Sequence, residues 1–257
     1  MKETSVADHR LRRAIDVGSA AAATLVRLAC GARVGELGRR PAQSLELWEF
    51  EACPYCRKVR EALSILDLDV LVRPCPKNGP RHRPGLIERG GKAQFPYLLD
   101  PNTDREMYES DDIVRYLFET YGNGRVPPLL AGGALTDLSA MLGSLFRPGF
   151  GAYYRAARAP ELPLELYSYE ASPFSRIVRE EISSLELPYL LHNVARGSPR
   201  RQAFVQRSGK MMVPYLIDPN TGKEMFESAD IVHYLRETYA LESAQLSSRN
   251  PTPGAPV

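Results

Sequence analysis

Cys53 and Cys56 stand one helical turn apart in the stretch Glu51-Ala52-Cys53-Pro54-Tyr55-Cys56-Arg57-Lys58-Val59-Arg60. A thiol pair at this spacing can perform thiol–disulfide exchange, which needs a stabilised thiolate, access to it, and a resolving thiol close behind. The surrounding sequence supplies the means. Leu45 to Phe50 is a short apolar run of strand type, and Val59, Ala62, Leu63 and Leu66 then recur at helical spacing. Cys53 therefore falls where a strand ends and a helix begins, with Pro54 suited to the first helical turn. Free N–H groups and the dipole of that turn favour a thiolate on Cys53. Arg57, Lys58 and Arg60 place positive charge nearby, and an exposed Cys53 is expected.

The whole chain narrows the field. It has 257 residues and a net charge of +2, so there is room for one or two domains and no concentrated basic face for nucleic acid. The basic clusters at 10–13, 39–40, 81–83 and 200–201 are scattered and read as solvated faces. Cys30, Cys53, Cys56 and Cys75 are too few for a disulfide framework. One close pair points to redox chemistry in a reducing, cytoplasmic setting, with Cys75 an incidental loop thiol. No run of about 18 apolar residues exists, so no transmembrane segment is expected. His9, His82, His192 and His233 share no ligand spacing and no second Cys-x-x-Cys is present, so no metal is expected. Neither a P-loop nor a dinucleotide glycine motif occurs.

The elements follow in βα order. Residues 1–44 form a polar, mobile arm to Arg13 and a lead helix over Ala14–Leu37. The first module, 45–122, continues from the Cys53 helix to a strand over Asp69–Val72, a Pro/Gly-rich loop and a helix near Leu86. Pro96 opens the next strand, where proline is tolerated, and a cis bond there would turn the Phe95 backbone toward a ligand. Asp100-Pro-Asn-Thr103 is turn chemistry before a return strand. Ser110 is a natural N-cap for the helix carrying Ile113, Val114 and Leu117, and its start suits a carboxylate.

Cys53-Pro-Tyr-Cys56, Phe95-Pro96 and Glu109-Ser110, in that order, resemble a glutaredoxin or the N-terminal domain of a glutathione transferase. The resemblance implies a thioredoxin-like α/β fold, a mixed four-stranded sheet flanked by helices, with glutathione as co-substrate or ligand. It assigns catalysis to Cys53 and Cys56 and glutathione contacts to Tyr55, Phe95, Pro96, Glu109 and Ser110.

The module is then repeated over 164–240. Leu164–Ala171 parallels Leu45–Ala52, Ser172-Pro-Phe-Ser175 parallels the cysteine motif, and Val213-Pro214 and Glu227-Ser228 parallel Phe95-Pro96 and Glu109-Ser110. Tyr239 parallels Tyr121, and Arg158-Ala-Pro160 parallels Arg39-Arg-Pro41, so the repeat includes a lead segment. The second module cannot form a disulfide. Ser172, Val213, Pro214, Glu227 and Ser228 can still bind glutathione by resemblance, although Ser172 also reads as a plain helix cap. Residues 123–163 are a linker with a short helix over Leu135–Phe146, and 241–257 is a disordered tail. No all-helical transferase domain follows.

Three functions stay open on these grounds. The leading one is glutathione-dependent thiol–disulfide exchange through the first module, acting on protein disulfides or glutathionylated proteins, with a non-redox second copy. The others are a non-catalytic pair of domains that binds a partner, and glutathione conjugation at Ser172.

Overall fold

The structure, a computed structural model, describes residues 6–133, 141–142, 147 and 149–241, with backbone alone over 6–12. The expected linker helix over 135–146 and the expected tail lie outside the described residues, apart from Met141, Leu142 and Leu241.

Helix α1 spans Val6–Val26. The lead helix therefore begins ahead of Arg13, in a stretch of good helix formers, and stops before Leu28 and Ala29, which take left-handed φ values of 48° and 53°. The first module contains β1 Leu45–Glu49, α2 Pro54–Ile65, β2 Val70–Pro74, α3 Arg83–Gly90, β3 Tyr97–Asp100, β4 Arg105–Met107 and α4 Ser110–Tyr121. The second repeats it with β5 Leu164–Ser168, α5 Pro173–Ser184, β6 Tyr189–Asn193, α6 Arg201–Ser208, β7 Tyr215–Asp218, β8 Lys223–Met225 and α7 Ser228–Tyr239.

The two four-stranded sheets are one sheet, in the order β4-β3-β1-β2-β6-β5-β7-β8. β2 and β6 meet antiparallel, with Leu71 opposite Leu190, its own counterpart in the repeat, and Val70–Leu191 and Val72–Tyr189 on either side. This is the register of a two-fold axis, here inside one chain. The pairing also removes the edge that each module would otherwise expose at β2 or β6. Helices α2, α4, α5 and α7 share one apolar core across both modules, in which Val59, Ala62, Leu63 and Leu66 are fully buried. Smaller clusters, around Trp48, Leu86 and Tyr97 and around Phe204, Tyr215 and Ile217, hold α3 and α6. The repeated tyrosines make the same contacts in both modules. Tyr116 and Tyr121 donate to Asp100, and Tyr234 and Tyr239 donate to Asp218.

Between α2 and α5 the contact is ionic. Arg179 donates to both oxygens of Glu51, at 3.0 and 3.1 Å, and lies 2.8 Å from Glu170. Arg60 reaches Glu170 at 3.0 Å and also holds Glu49. All five groups are buried. Burial alone would raise the Glu170 carboxyl, but Arg179 and Arg60 outweigh it and pull it down to about 2. Two serines close the seam in matching fashion. Ser64 Oγ donates to the Gly31 carbonyl and accepts from Glu170 N, while Ser183 Oγ donates to the Gly151 carbonyl and accepts from Glu51 N. Gly151, at φ 72°, lies where a Cβ would come within 3.0 Å of Glu51 Cβ.

Removing one member of a buried ion cluster leaves its partners charged and desolvated. Arg179→Met is expected to lower unfolding stability by about 3–5 kcal/mol, measured by urea denaturation.

Candidate functional site

Cys53 is the N-cap of α2, with Pro54 in the first turn. Its sulfur accepts from Cys56 N at 3.3 Å. The expected exposed position is corrected: the thiol turns in to cap the helix and Cys53 is only 4% exposed, while Tyr55 beside it is 38% exposed. Burial pushes the Cys53 thiol up, but donation from the Cys56 thiol and from Cys56 N–H outweighs it, so Cys53 sits below the ordinary thiol value. Cys56 is pushed well above it, by burial first and then by its bond to Cys53. One thiol is thus poised to ionise and the other to hold its proton.

The three cations expected to support the thiolate are otherwise engaged. Lys58 pairs with Asp111, Arg57 with Glu61 and the Ala23 carbonyl, and Arg60 with Glu49 and Glu170. They sit on the faces of α2 that meet other elements, and of the three it is Arg60 whose charge acts on Cys53 to lower its pKa.

A chain of contacts ties the other predicted positions to the cysteine turn. Cys53 N donates to the Phe50 carbonyl, and the Phe50 ring meets the Phe95 ring edge-on at 5.8 Å. Arg83 lies over the Phe95 ring, 4.7 Å from its centre. The Phe95–Pro96 bond is cis, and Gln94 Nε2 donates to Glu109 Oε1 at 2.5 Å. Ser110 is not the cap. Glu109 holds the N-cap position at φ 67° without a side-chain cap bond, and Ser110 is the first, buried residue of α4. A left-handed glutamate is an uncommon conformation of the kind found at ligand clamps, and it recurs at Glu227, also at φ 67°.

In the second module the frame is the same and the chemistry differs. Ser172 caps α5, and its oxygen accepts from Ser175 N at 3.2 Å and Ser175 Oγ at 2.9 Å. The Val213–Pro214 bond is cis, Ser228 is buried, and Glu227 pairs with Arg13 of α1 at 3.4 Å. Among the described residues no group of three or more metal-ligating side chains comes together, and no helix is long and apolar enough to cross a membrane.

One residue escaped the sequence reading. Burial pushes the Glu49 carboxyl up to about 7, against the pull of Arg60, and its charge raises both Cys53 and Cys56. Its counterpart is Ser168. The acid accompanies the cysteines and is lost with them, a signal visible by laying one repeat over the other.

The family model described as "Glutathione S-transferase, N-terminal domain" matches the chain twice, over residues 47–125 and 166–243. The chain belongs to that family, as two tandem copies of a glutathione-transferase-type, thioredoxin-fold domain. Among solved structures it is similar to the Bombyx mori glutathione transferase BmGSTD1, with 26% identity and a TM-score of 0.30 over 33% of this chain and 38% of that one. It is also similar to Leishmania TDR1, described as a unique trimeric glutathione transferase, with 15% identity and a TM-score of 0.29 over 79% and 68% of the two chains. No curated protein matches.

Two outcomes follow. The pH midpoint of Cys53 alkylation by iodoacetamide is expected below that of an ordinary thiol, and Cys56→Ala should raise it by about one unit. Glu49, raised from 4.5 to about 7, keeps a proton in the folded state that the unfolded chain gives up. Stability should therefore fall as pH rises between those two values, by about 1.4 kcal/mol per unit, and Glu49→Gln should flatten that slope in urea unfolding.

Proposed function

We propose that the protein is a glutathione-dependent thiol–disulfide oxidoreductase working at Cys53, with a second module that no longer carries redox chemistry. The observation that carries this reading is the divergence of the two thiols within one helical turn: Cys53 shifted down, Cys56 shifted up, and the acceptor bond between them. In the proposed reaction the Cys53 thiolate attacks the glutathione sulfur of a mixed disulfide. The old S–S bond breaks, the substrate leaves as a thiolate that takes a proton from water, and Cys53 is left bonded to glutathione. A second glutathione thiolate then attacks that sulfur, releasing oxidised glutathione and the Cys53 thiolate. Alternatively Cys56 loses its proton and attacks Cys53, releasing glutathione and leaving a Cys53–Cys56 disulfide for later reduction.

The contact chain from Phe50 through Phe95 and Gln94 to Glu109 supports a glutathione site beside Cys53. In that site the Phe95 backbone pairs with the cysteinyl part and Glu109 and Ser110 hold the γ-glutamyl end. The burial of Cys53 favours a second reading, binding of glutathione or a partner without turnover. Conjugation at Ser172 is a third reading: its oxygen accepts two bonds in capping α5, and its hydroxyl proton is left to donate to a thiolate.

Glutathione-coupled reduction of a small mixed disulfide separates these readings. Turnover should fall about 100-fold or more in Cys53→Ser. Turnover that survives unchanged, or none in the parent protein, would turn the function toward binding.

A further inference from the structure

Glu109 and Glu227 share one backbone conformation and differ in what meets their carboxylates. Both stand just ahead of a buried serine that begins a helix, Ser110 of α4 and Ser228 of α7, and both take φ 67°. In the first module the partner is local and neutral: Gln94 Nε2 donates to Glu109 Oε1, and among the described residues no cation pairs with Glu109. In the second, Met212 stands in place of Gln94, two residues ahead of Pro214. A thioether has no proton to donate. Glu227 is met instead by Arg13, whose Nη2 lies 3.4 Å from Glu227 Oε2.

Arg13 belongs to α1, ahead of both modules. It lies one turn from the point where that helix is pinned to the second module. Arg147 Nη1 donates to the Asp16 carbonyl at 2.9 Å and to Ser19 Oγ at 2.7 Å. The same guanidinium holds both oxygens of Glu180 on α5, at 2.7 and 2.6 Å, and both groups are buried. A buried anchor thus presents Arg13 to Glu227. The contact itself is open, with the two side chains 55% and 51% exposed. A pair so exposed is weak and exchangeable.

We propose that Arg13 fills, within its own chain, the ammonium position of the second module's candidate glutathione site. The proposal rests on the reading of Glu227-Ser228 as a second γ-glutamyl position. The γ-glutamyl end carries one ammonium and one carboxylate, and of the two only the ammonium can pair with a glutamate. Glu109, held by a neutral amide, is open to it. Glu227 already has a guanidinium, which an incoming ammonium must displace. Arg13 is therefore the residue that sets the ligand preference of the two modules apart. The first takes glutathione through its free amine, and the second is biased against that amine. The role falls on a half-exposed side chain of α1, so it is separable from the fold and from any turnover at Cys53.

The probe is S-methylglutathione, a thioether that cannot exchange at Cys53, titrated by calorimetry into the full chain carrying Glu109→Gly. That substitution removes the first module's carboxylate and suits its left-handed backbone, so the binding that is left belongs to the second module. Should the glycine variant not fold, Glu109→Asn serves, since asparagine also tolerates that conformation. Adding Arg13→Ala should tighten binding about two- to fivefold, the range of an exposed ion pair, and Arg13→Lys should not. With N-acetyl-S-methylglutathione, which has no ammonium, Arg13→Ala should bring no such gain. Equal affinity for S-methylglutathione with and without Arg13 would overturn the proposal. So would weaker binding in Arg13→Ala, which would make Arg13 a contact for the ligand's carboxylates. Both of those results leave a glutathione site in the second module. No binding with either residue at position 13 would overturn that site and the proposal together.

Discussion

The ionic seam between α2 and α5 is the constraint on which the rest depends. Glu51 precedes Cys53 by two residues and is held by Arg179 of the other module; Glu170 precedes Ser172 by two and is held by Arg60. Each helix-starting turn is therefore held by its own module and by the other one together. Buried ion pairs add little net stability over apolar packing, but an incomplete one is strongly unfavourable. That asymmetry favours a single relative placement of the modules, and the β2–β6 register agrees with it. A second module without cysteines is thus explained. It supplies Glu170, Arg179 and strand β6 to the half that keeps the thiols.

The positions that changed between the repeats include those of the cysteine turn. Cys53 and Cys56 face Ser172 and Ser175 across the repeat, Glu49 faces Ser168, and the Lys58–Asp111 pair faces Ile177 and Ala229. The paired acids and arginines of the seam, the tyrosine–aspartate contacts and both cis prolines are kept. Frame and function have separated: the frame is held by two-fold pairing, and each module is free to vary where that pairing does not reach.

Much of this was legible in the residues. The repeat, the placing of Cys53 at a helix start, the strand opened by Pro96 and the mixed α/β architecture all follow from local pattern and turn chemistry. Other features were hidden because they depend on distant partners. Arg57 and Arg60 read naturally as local support for a thiolate, yet their carboxylates come from α2 itself, from β1 and from the other module. Joining of the sheets at Leu71 and Leu190 leaves no local mark, since a short apolar strand reads the same at an edge as in the interior. Ser110 has the chemistry of a cap, but Glu109 takes that position in a left-handed conformation that no propensity favours. The inward turn of Cys53 is likewise set by where its own helix's N–H groups point.

The most direct measurement is trapping. Cys56→Ser removes the resolving thiol, and the variant is incubated with oxidised glutathione and digested for mass spectrometry. Glutathione on Cys53, with Cys30 and Cys75 unmodified, is the result expected of a thiolate held beside a glutathione site. Modification spread over Cys30 and Cys75, or a Cys53 that stays free, would contradict it.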